Sequence, residues 1–222
     1  MRKTIQIICI AILFFPVVIL SQPNFYGLTQ YGGQGVGAVI KYQNATKTLS
    51  AVSNFPNPAN TPIGAMVLAN NGKYYGVTYN GGTSGVGVLF SFDKATNTRT
   101  DVFNFNVTKG ANPYSGMIKA TNGKLYGMTS KGGLNNKGVL YSFNTSTNAL
   151  TVLYNFDFYD GGEPQGELMQ ASNGKMYGLT RTGGSMGDMG VLFVFDPVAI
   201  TYQKLHAFSG PDGAYPEGGL TQ

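Results

Sequence analysis

The strongest constraint on this chain is a short segment that occurs four times at a nearly constant period. Its copies read FYGLTQYGG, KYYGVTYNGG, KLYGMTSKGG and KMYGLTRTGG. The glycine of each Tyr-Gly pair stands at position 27, 76, 127 or 178, so the spacings are 49, 51 and 51 residues. A period near 50 residues is typical of proteins built from stacked repeats, in which each unit buries its apolar faces against its neighbours.

Each unit predicts four antiparallel strands. The first strand reads MVLAN, MIKAT or LMQAS, and an Asn-Gly pair, a strong hairpin signal, joins it to the Tyr-Gly strand. A third strand such as VLYSF and a fourth such as TVLYNF follow, and a turn beginning with Asp93, Asn144 or Asp196 joins them. No segment has a sustained helical period. Because one such meander cannot bury both faces, we predict an all-β chain, a β-propeller of four-stranded antiparallel meander blades.

Three features of the repeated segment suggest how the strands bend and how the sheets pack. A glycine inside a strand marks a bulge or the close approach of another backbone. The adjacent tyrosine is large enough to fill space between neighbouring sheets. The Gly-Gly pair supplies backbone angles that other residues reach only at a cost. We predict one repeat domain over residues 22–222, with units at about 25–73, 74–124, 125–175 and 176–222.

The motifs LYGMTSKGG, GVLYSFN and TVLYNF, with the following Pro and NGK, resemble the GloVer tandem repeat of bacterial "choice-of-anchor" surface proteins. The resemblance extends over nearly the whole chain after the first 21 residues. The repeat is also similar to Kelch, although the Kelch tryptophan is missing because the chain has no Trp. The resemblance implies a location outside the cell or at its surface, and it implies no established activity.

The first 21 residues have the pattern of a secretory signal peptide. Arg2 and Lys3 precede an apolar run from Ile7 to Leu20, which is shorter than the about 20 residues that span a bilayer. We expect cleavage after Ser21, with an uncleaved membrane anchor as the alternative. Cys9, the only cysteine, would be lost, so the mature chain would have no disulfide and no thiolate metal site.

Composition narrows the classes of partner. Without Arg2 and Lys3 the chain has 13 cations and 10 acids, and the lysines are scattered, which disfavours nucleic acid. The glycine-rich GGQGVG and GGTSGVG resemble phosphate-binding loops but lead into strands, whereas such loops open a helix. We therefore expect no nucleotide and no other cofactor. A chain with one histidine cannot form a site built from several histidines.

The two ends of the repeat leave two arrangements open. The chain after the signal starts at a second strand, FYGLT, and GGLTQ aligns with GELMQ at the start of a first strand. In one arrangement the last strand pairs with the first unit and closes four blades. In the other, the sequence is part of a larger propeller that continues into another blade and an anchor.

The candidate binding residues lie on the loops that vary in length. Strand direction alternates, so the second-to-third loops and the connections between units share one face. The second-to-third loops span 5, 6, 6 and 7 residues, counted from the first glycine of Gly-Gly to the glycine before the third strand. Rigid scaffolds present binding residues on loops. The candidates in the loops are Gln30, Tyr31, Gln34, Tyr79, Asn80, Ser84, Lys131, Asn135, Asn136, Arg181 and Asp188. Those in the connections are Asn112, Tyr159, Asp160, Glu163, Asp212 and Tyr215.

Three functions fit these residues. Tyr rings stack on sugars and amides hydrogen-bond, so the leading hypothesis is a secreted, non-catalytic scaffold that binds a glycan polymer or a protein. The second is a polysaccharide-degrading enzyme that uses acids of the third unit, namely Asp157, Asp160, Glu163 and Glu167. The third is a purely structural surface protein, in which the candidates are ordinary solvated residues. We read His206 as a packed strand residue because it aligns with Phe103 and Tyr154.

Overall fold

Four separate antiparallel sheets make up the described part of the chain, which in this computed structural model comprises residues 23–32, 37–55, 61–184 and 187–222. Sheet one contains β1 (Asn24–Thr29), β2 (Ala38–Gln43) and β3 (Thr48–Asn54). Sheet two contains β4 (Pro62–Leu68), β5 (Tyr74–Thr78), β6 (Val88–Asp93) and β7 (Thr98–Asn104). Sheet three contains β8 (Ile118–Lys119), β9 (Leu125–Thr129), β10 (Val139–Asn144) and β11 (Ala149–Asn155). Sheet four contains β12 (Met169–Gln170), β13 (Met176–Thr180), β14 (Val191–Asp196) and β15 (Thr201–Ala207).

The strands of every sheet are hydrogen-bonded in chain order, so each sheet is a meander. This confirms the predicted all-β propeller architecture. Sheets two, three and four have the four expected strands, and sheet one has three among the described residues. The predicted signal segment, residues 1–21, lies outside the described residues. Within those residues, no helix is long and apolar enough to cross a membrane.

The Asn-Gly turn and the following tyrosine form one hydrogen-bonded unit. In sheet three, the Asn122 amide donates to the Tyr126 hydroxyl at 2.8 Å, and its oxygen accepts the Lys124 N–H at 3.1 Å. Gly123 has a φ of 79°, which suits glycine. The same contacts occur in sheets two and four. The turn therefore fixes the Tyr-Gly strand and also satisfies the tyrosine hydroxyl at the rim of the core.

In sheets two, three and four, the glycine of the Tyr-Gly pair lies beneath an aromatic ring of the next strand. Gly178 is paired with Phe193, and a Cβ at Gly178 would come within 2.5 Å of the ring atom Cζ. The register of β13 is regular, and the bulge lies instead in the β14–β15 pair, between Leu192 and Phe193. Of the two predicted roles for this glycine, close approach is therefore the right one. The approaching group is a ring, not another backbone.

Neighbouring sheets pack through two different faces. We call the face that carries the Tyr of the Tyr-Gly pair the leading face, because it contacts the next sheet along the chain. We call the opposite face, which carries the ring over the glycine, the trailing face. Three apolar clusters join leading to trailing faces in sheets one and two, two and three, and three and four. The tyrosines thus fill the space between sheets, as predicted: Tyr75 contacts Phe143 with ring centroids 5.9 Å apart.

A proline and a glycine connect consecutive units at the end of each sheet. A Cβ at Gly138, just before β10, would lie 3.1 Å from Cδ of Pro164, in the connection that leads to sheet four. The Glu163 N–H donates to the Lys137 carbonyl at 2.8 Å beside this contact. Gly87 and Gly190 meet Pro113 and Pro216 in the same way. The loops that vary in length therefore end at a glycine whose backbone is held against the connection to the next sheet.

Replacing the buried glycine tests the packing of ring on backbone. We expect Gly178→Ala to lower the free energy of unfolding by about 1–3 kcal/mol, because the added methyl must displace Phe193. The matched control is Gly27→Ala. A Cβ there would lie 3.5 Å from Ile40, an ordinary contact, so we expect a change within about 0.5 kcal/mol. Equal losses in urea denaturation of both variants would contradict this role for the ring.

The turn between β14 and β15 contains a residue in a costly conformation. Ile200 has a φ of 55°, whereas Asn97 and Asn148 occupy the same position with φ of 55° and 53°. The left-handed region costs most residues about 1–2 kcal/mol, and asparagine enters it more easily. We expect Ile200→Asn to raise the melting temperature. Val198→Asn, in the same turn at an exposed position, should leave it nearly unchanged. A lower melting temperature for Ile200→Asn would contradict this reading.

Candidate functional site

The two ends of the sheets carry different kinds of connection. The loops after the Tyr-Gly strands and the connections between units lie at one end, which we call the loop end. The hairpin turns at Asn-Gly and at Asp93, Asn144 and Asp196 lie at the other, which we call the turn end. The Oδ1 atoms of these three residues accept backbone N–H groups two residues on, so they cap their turns as predicted. Loop residues of different sheets can therefore form one surface.

A cavity of about 410 Å³ lies at the loop end between sheets one and two. This volume is within the about 300–1,000 Å³ of small-molecule sites. The walls come from both loops and from the connections that precede β4 and β8. The lining residues are Gln30, Tyr31, Thr61, Ile63, Tyr79, Asn80 and Tyr114. The structure thus brings four predicted site residues into one concave surface, namely Gln30, Tyr31, Tyr79 and Asn80.

Aromatic rings and amides share this cavity. The rings of Tyr79 and Tyr114 meet edge to face, with centroids 5.7 Å apart. Tyr114 is 39% exposed and Tyr31 is 74% exposed, so both rings present surface to a ligand. Gln30 and Asn80 add amide groups that can donate and accept hydrogen bonds. Exposed aromatic rings beside amide groups that can form hydrogen bonds are suited to ligands that have both apolar faces and hydroxyl groups.

Backbone and side-chain contacts fix the position of this wall. The Tyr79 N–H donates to the Thr61 carbonyl at 2.7 Å. The Asn112 amide donates to the Tyr79 carbonyl at 3.0 Å and to the Asn80 Oδ1 at 3.4 Å. Asn112 has a φ of 52°, a conformation that asparagine tolerates better than most residues. Asn112 therefore positions Asn80, and Asn80 keeps its amide N–H groups available.

A second group of candidates forms one ion pair within unit three and one within unit four. The Lys137 Nζ lies 3.2 Å from the Glu163 Oε1. The Arg181 Nε lies 3.1 Å from the Glu217 Oε1, and its guanidinium is 5.5 Å from the centroid of the Tyr215 ring. These contacts hold the connection segments against the loops. They give Glu163, Arg181 and Tyr215 a structural role outside the cavity.

Asp160 takes part in a third group, which joins sheets three and four. The rings of Tyr154 and Tyr202 stack with centroids 3.9 Å apart. The Tyr154 hydroxyl donates to the Asp160 Oδ2 at 3.2 Å, and the Lys204 Nζ lies 3.4 Å from the Oδ1. Burial, and then the nearby carboxylates of Asp160 and Asp157, raises the pKa of Tyr154 well above its usual value. The tyrosine therefore stays a hydrogen-bond donor at neutral pH.

The remaining candidates serve the loops on which they lie. The Asn135 amide donates to the Phe156 carbonyl at 3.1 Å, and the Asp188 carboxylate accepts the Gly183 N–H. The Lys131 N–H donates to the Ala111 carbonyl at 3.0 Å. Tyr159 is 71% exposed, and its carbonyl accepts the Lys204 ammonium. None of these four lines the cavity, and Gln34 lies outside the described residues.

His206 is paired with a carboxylate, not packed into the core. Its Nε2 lies 2.6 Å from the Asp212 Oδ2, and half of its side chain is exposed. The Ser209 hydroxyl donates to the Asp212 Oδ1 at 3.0 Å, so it is bound to the carboxylate and not to the imidazole. The Ser209 N–H, and next His206, lowers the pKa of Asp212 to about 2. Because a nucleophilic serine must be bonded to its base, this trio is a turn cap.

The His206–Asp212 contact recurs with different chemistry in the sibling units. Tyr154 bonds to Asp160, six residues later, and the Lys109 ammonium lies 6.0 Å from the centroid of the Phe103 ring. The fourth strand and the next turn are thus tied together in each case. The prediction that His206 is a packed strand residue was wrong, because its side chain is half exposed. Among the described residues, no sheet packs against the face of sheet four on which His206 lies.

Another cavity, of about 460 Å³, lies at the turn end between sheets two and three. Asparagines dominate its walls, and the oxygens of three of them already accept hydrogen bonds. The Asn122 amide bonds to the Tyr126 hydroxyl, the Asn144 Oδ1 accepts the Ser146 N–H, and the Asn70 Oδ1 accepts from Lys119. No exposed ring lines it. Although this cavity is larger, only the loop-end cavity of these two combines amide groups with exposed aromatic rings.

Sequence reasoning missed Tyr114, Thr61 and Ile63 as site residues. Thr61 and Ile63 flank Pro62 at the start of β4, and Tyr114 directly follows Pro113 in the connection before β8. The alignment of the units could have pointed to Tyr114, because the residue that follows the proline is not aromatic in the other three units. Within the described residues, no three His, Cys, Asp or Glu side chains cluster in a way that could hold a metal ion.

Comparisons with solved structures give the fold. Two crystal structures of the extracellular domain of BT4673 from B. thetaiotaomicron match with TM-scores of 0.58 and 0.55 and identities of 14% and 16%. Each match covers 82% of this chain and 22% of the other, so the chain spans about a fifth of that domain. TolB from Acinetobacter baumannii matches with a TM-score of 0.49 and 15% identity, over 82% of this chain and 41% of TolB. No curated protein sequence matches the chain.

A family comparison gives the identity of the repeat. The family model of the Gloeobacter/Verrucomicrobia repeat matches residues 16–222, which includes all four Tyr-Gly segments. This confirms the resemblance carried by the Tyr-Gly, Gly-Gly and Asn-Gly-Lys motifs. The chain belongs to the Gloeobacter/Verrucomicrobia repeat family.

Proposed function

We propose that this β-propeller domain is a non-catalytic binding module for a glycan, and that the glycan binds in the loop-end cavity between sheets one and two. The observation that carries the proposal is the convergence of three tyrosines and two amides on about 410 Å³. The rings of Tyr31 and Tyr114 would stack on the apolar faces of sugar rings. The amides of Gln30 and Asn80 would bond to hydroxyl groups.

The contacts at the acids of the third unit favour binding over hydrolysis. The Asp157 Oδ1 accepts the N–H groups of Tyr159 and Asp160, which is the pattern of a turn cap. Asp160 is bonded to Tyr154 and Lys204, and Glu163 is bonded to Lys137. These three of the four acids therefore have structural partners that account for them. None of them lines the loop-end cavity.

The proposed location is outside the cell. The charged start and apolar run of residues 1–21 support export, and a polymeric glycan is a ligand of the cell exterior. After cleavage, the domain would present its loop end to polymers at the surface or in the medium.

Truncating the exposed rings tests the proposed site. We expect the chain to bind members of a glycan array, and Tyr31→Ala and Tyr114→Ala each to weaken that binding about tenfold or more, as for central aromatic contacts elsewhere. The matched control is Tyr159→Ala. This ring is at the loop end and is 71% exposed, but it does not line the cavity, so its loss should leave the affinity unchanged.

Two results would count against the proposed site. If no glycan binds the intact chain, the ligand class is wrong. If Tyr159→Ala weakens binding as much as Tyr31→Ala, the cavity is not the site. Circular dichroism of each variant separates lost binding from lost folding.

The proposed export is tested at the amino terminus. When the chain is expressed in a bacterial host, we expect to find it outside the cytoplasm. Its mass, measured by mass spectrometry, should be that of a chain whose first residue is Gln22, because cleavage follows Ser21. Replacing Arg2 and Lys3 by Glu should reduce export, since the charged start is needed. A chain of full mass that stays in the cytoplasm would contradict this location.

A further inference from the structure

Within the part of the chain that the structure describes, no sheet covers the leading face of sheet four. In sheets two and three the leading-face tyrosines, Tyr75 and Tyr126, are buried beneath the next sheet, whereas Tyr177 is partly exposed. Leu192 is also partly exposed, although its counterparts in β6 and β10 are fully buried. Leu205, in β15, is 44% exposed. Sheet four therefore offers the kind of apolar face that elsewhere in the chain holds a neighbouring sheet.

The start of a further strand already lies beside this face. Residues 220–222 and the leading face enclose a cavity of about 390 Å³. The Gln222 Oε1 accepts the Ser172 N–H at 2.9 Å. The Gln170 Oε1 accepts the Thr121 N–H at 2.9 Å in the same way, and Gln170 belongs to the first strand of sheet four. Residues 220–222 thus occupy the place of a first strand in the next sheet.

Sheet one has the complementary deficiency. Among the described residues it has the second, third and fourth strands of the pattern and no first strand. Its trailing face is also uncovered, since Phe25 is 57% exposed. Ile40 and Tyr42, at the positions of the buried Phe193 and Phe195, are partly exposed. Among the described residues, sheet one therefore has no first strand and no leading face packed against it, and sheet four with residues 220–222 offers both.

We propose that sheet one of a second copy of this chain docks on the leading face of sheet four, with residues 220–222 as its first strand. The register follows from sheet four, where Met169 pairs with Tyr177 and Gln170 with Met176. Thr221 then lies opposite Tyr26 of the second copy, and Gln222 lies opposite Phe25. Two copies joined at both contacts form a ring of eight sheets, which is within the usual range of about 4–8 blades.

The contacts within the chain favour a second copy over the chain's own sheet one. Each of the three apolar clusters joins consecutive sheets, and none joins sheet four to sheet one in the described part of the chain. Every sheet-to-sheet contact in the chain places a leading face on a trailing face. The proposed contact uses the same two faces, so it continues an interface that the chain already forms three times. The proposal is independent of any ligand at the loop end.

Sedimentation of the purified chain and its variants tests the proposal. We expect the intact chain to have the mass of two chains, and Leu205→Asp and Phe25→Asp each to have the mass of one. An equal mixture of these two variants should recover the two-chain mass, because sheet four of one and sheet one of the other remain intact. The control is Val198→Asp, at a 91% exposed turn position away from both faces, which should keep the mass of two chains.

The remaining outcomes overturn the proposal. A single-chain mass for the intact protein at all concentrations rules out the second copy. The rate at which a thiol reagent labels a Leu205→Cys variant then shows what covers the leading face of sheet four. Slow labelling means that the chain's own sheet one covers this face, and fast labelling means that nothing in the chain covers it. If Leu205→Asp does not fold, Thr221→Pro replaces it. Proline prevents strand pairing at an exposed position and leaves the core untouched, so a two-chain mass for Thr221→Pro also overturns the proposal.

Discussion

The arrangement of the sheets depends on one repeated contact, a ring clamped between a glycine of its own sheet and a phenylalanine of the sheet before it. Phe193 lies over Gly178, and its centroid is 5.5 Å from that of Phe156, which follows the last strand of sheet three. Tyr141 and Phe105 repeat the contact between sheets two and three at the same distance. Because the ring can lie flat on the strand only where no Cβ intervenes, glycine in the Tyr-Gly pair determines how closely neighbouring sheets approach.

This contact separates the part of the chain that repeats from the part that varies. The ring, the glycine and the Asn-Gly turn fix the sheets and the turn end, so they leave little freedom for chemical differences among units. At the loop end, the contact of Gly138 with Pro164 recurs in the other units, whereas the side-chain contacts beyond it differ from unit to unit. Its side chains can therefore differ from unit to unit, and between sheets one and two that difference gathers Tyr31 and Tyr114 around one cavity.

The sequence was sufficient for the fold because each repeated residue has a local physical role. Asn-Gly predicts the hairpin, the residue at Asp93 predicts the turn, and the period of about 50 residues predicts sheets packed on one another. The site could be predicted only in part, since the alignment places Tyr31, Tyr79 and Asn80 at one end but does not say which units approach. Tyr114 lines the cavity because it packs against Tyr79, and no sequence pattern predicts that contact. Glu163 is excluded from the site because it is paired with Lys137, a contact that the sequence does not predict either.

The most direct test of the proposed function is to locate a bound glycan on the protein by hydrogen exchange. An oligosaccharide that binds the chain should slow amide exchange at residues 30–32, 79–80 and 112–114, which surround the loop-end cavity. Slower exchange at residues 70–72, 122–124 and 144–146 would instead place the ligand at the turn end, among the asparagine turns. That result would contradict the account, because it would mean that the constant end of the scaffold, and not its variable loops, carries the function.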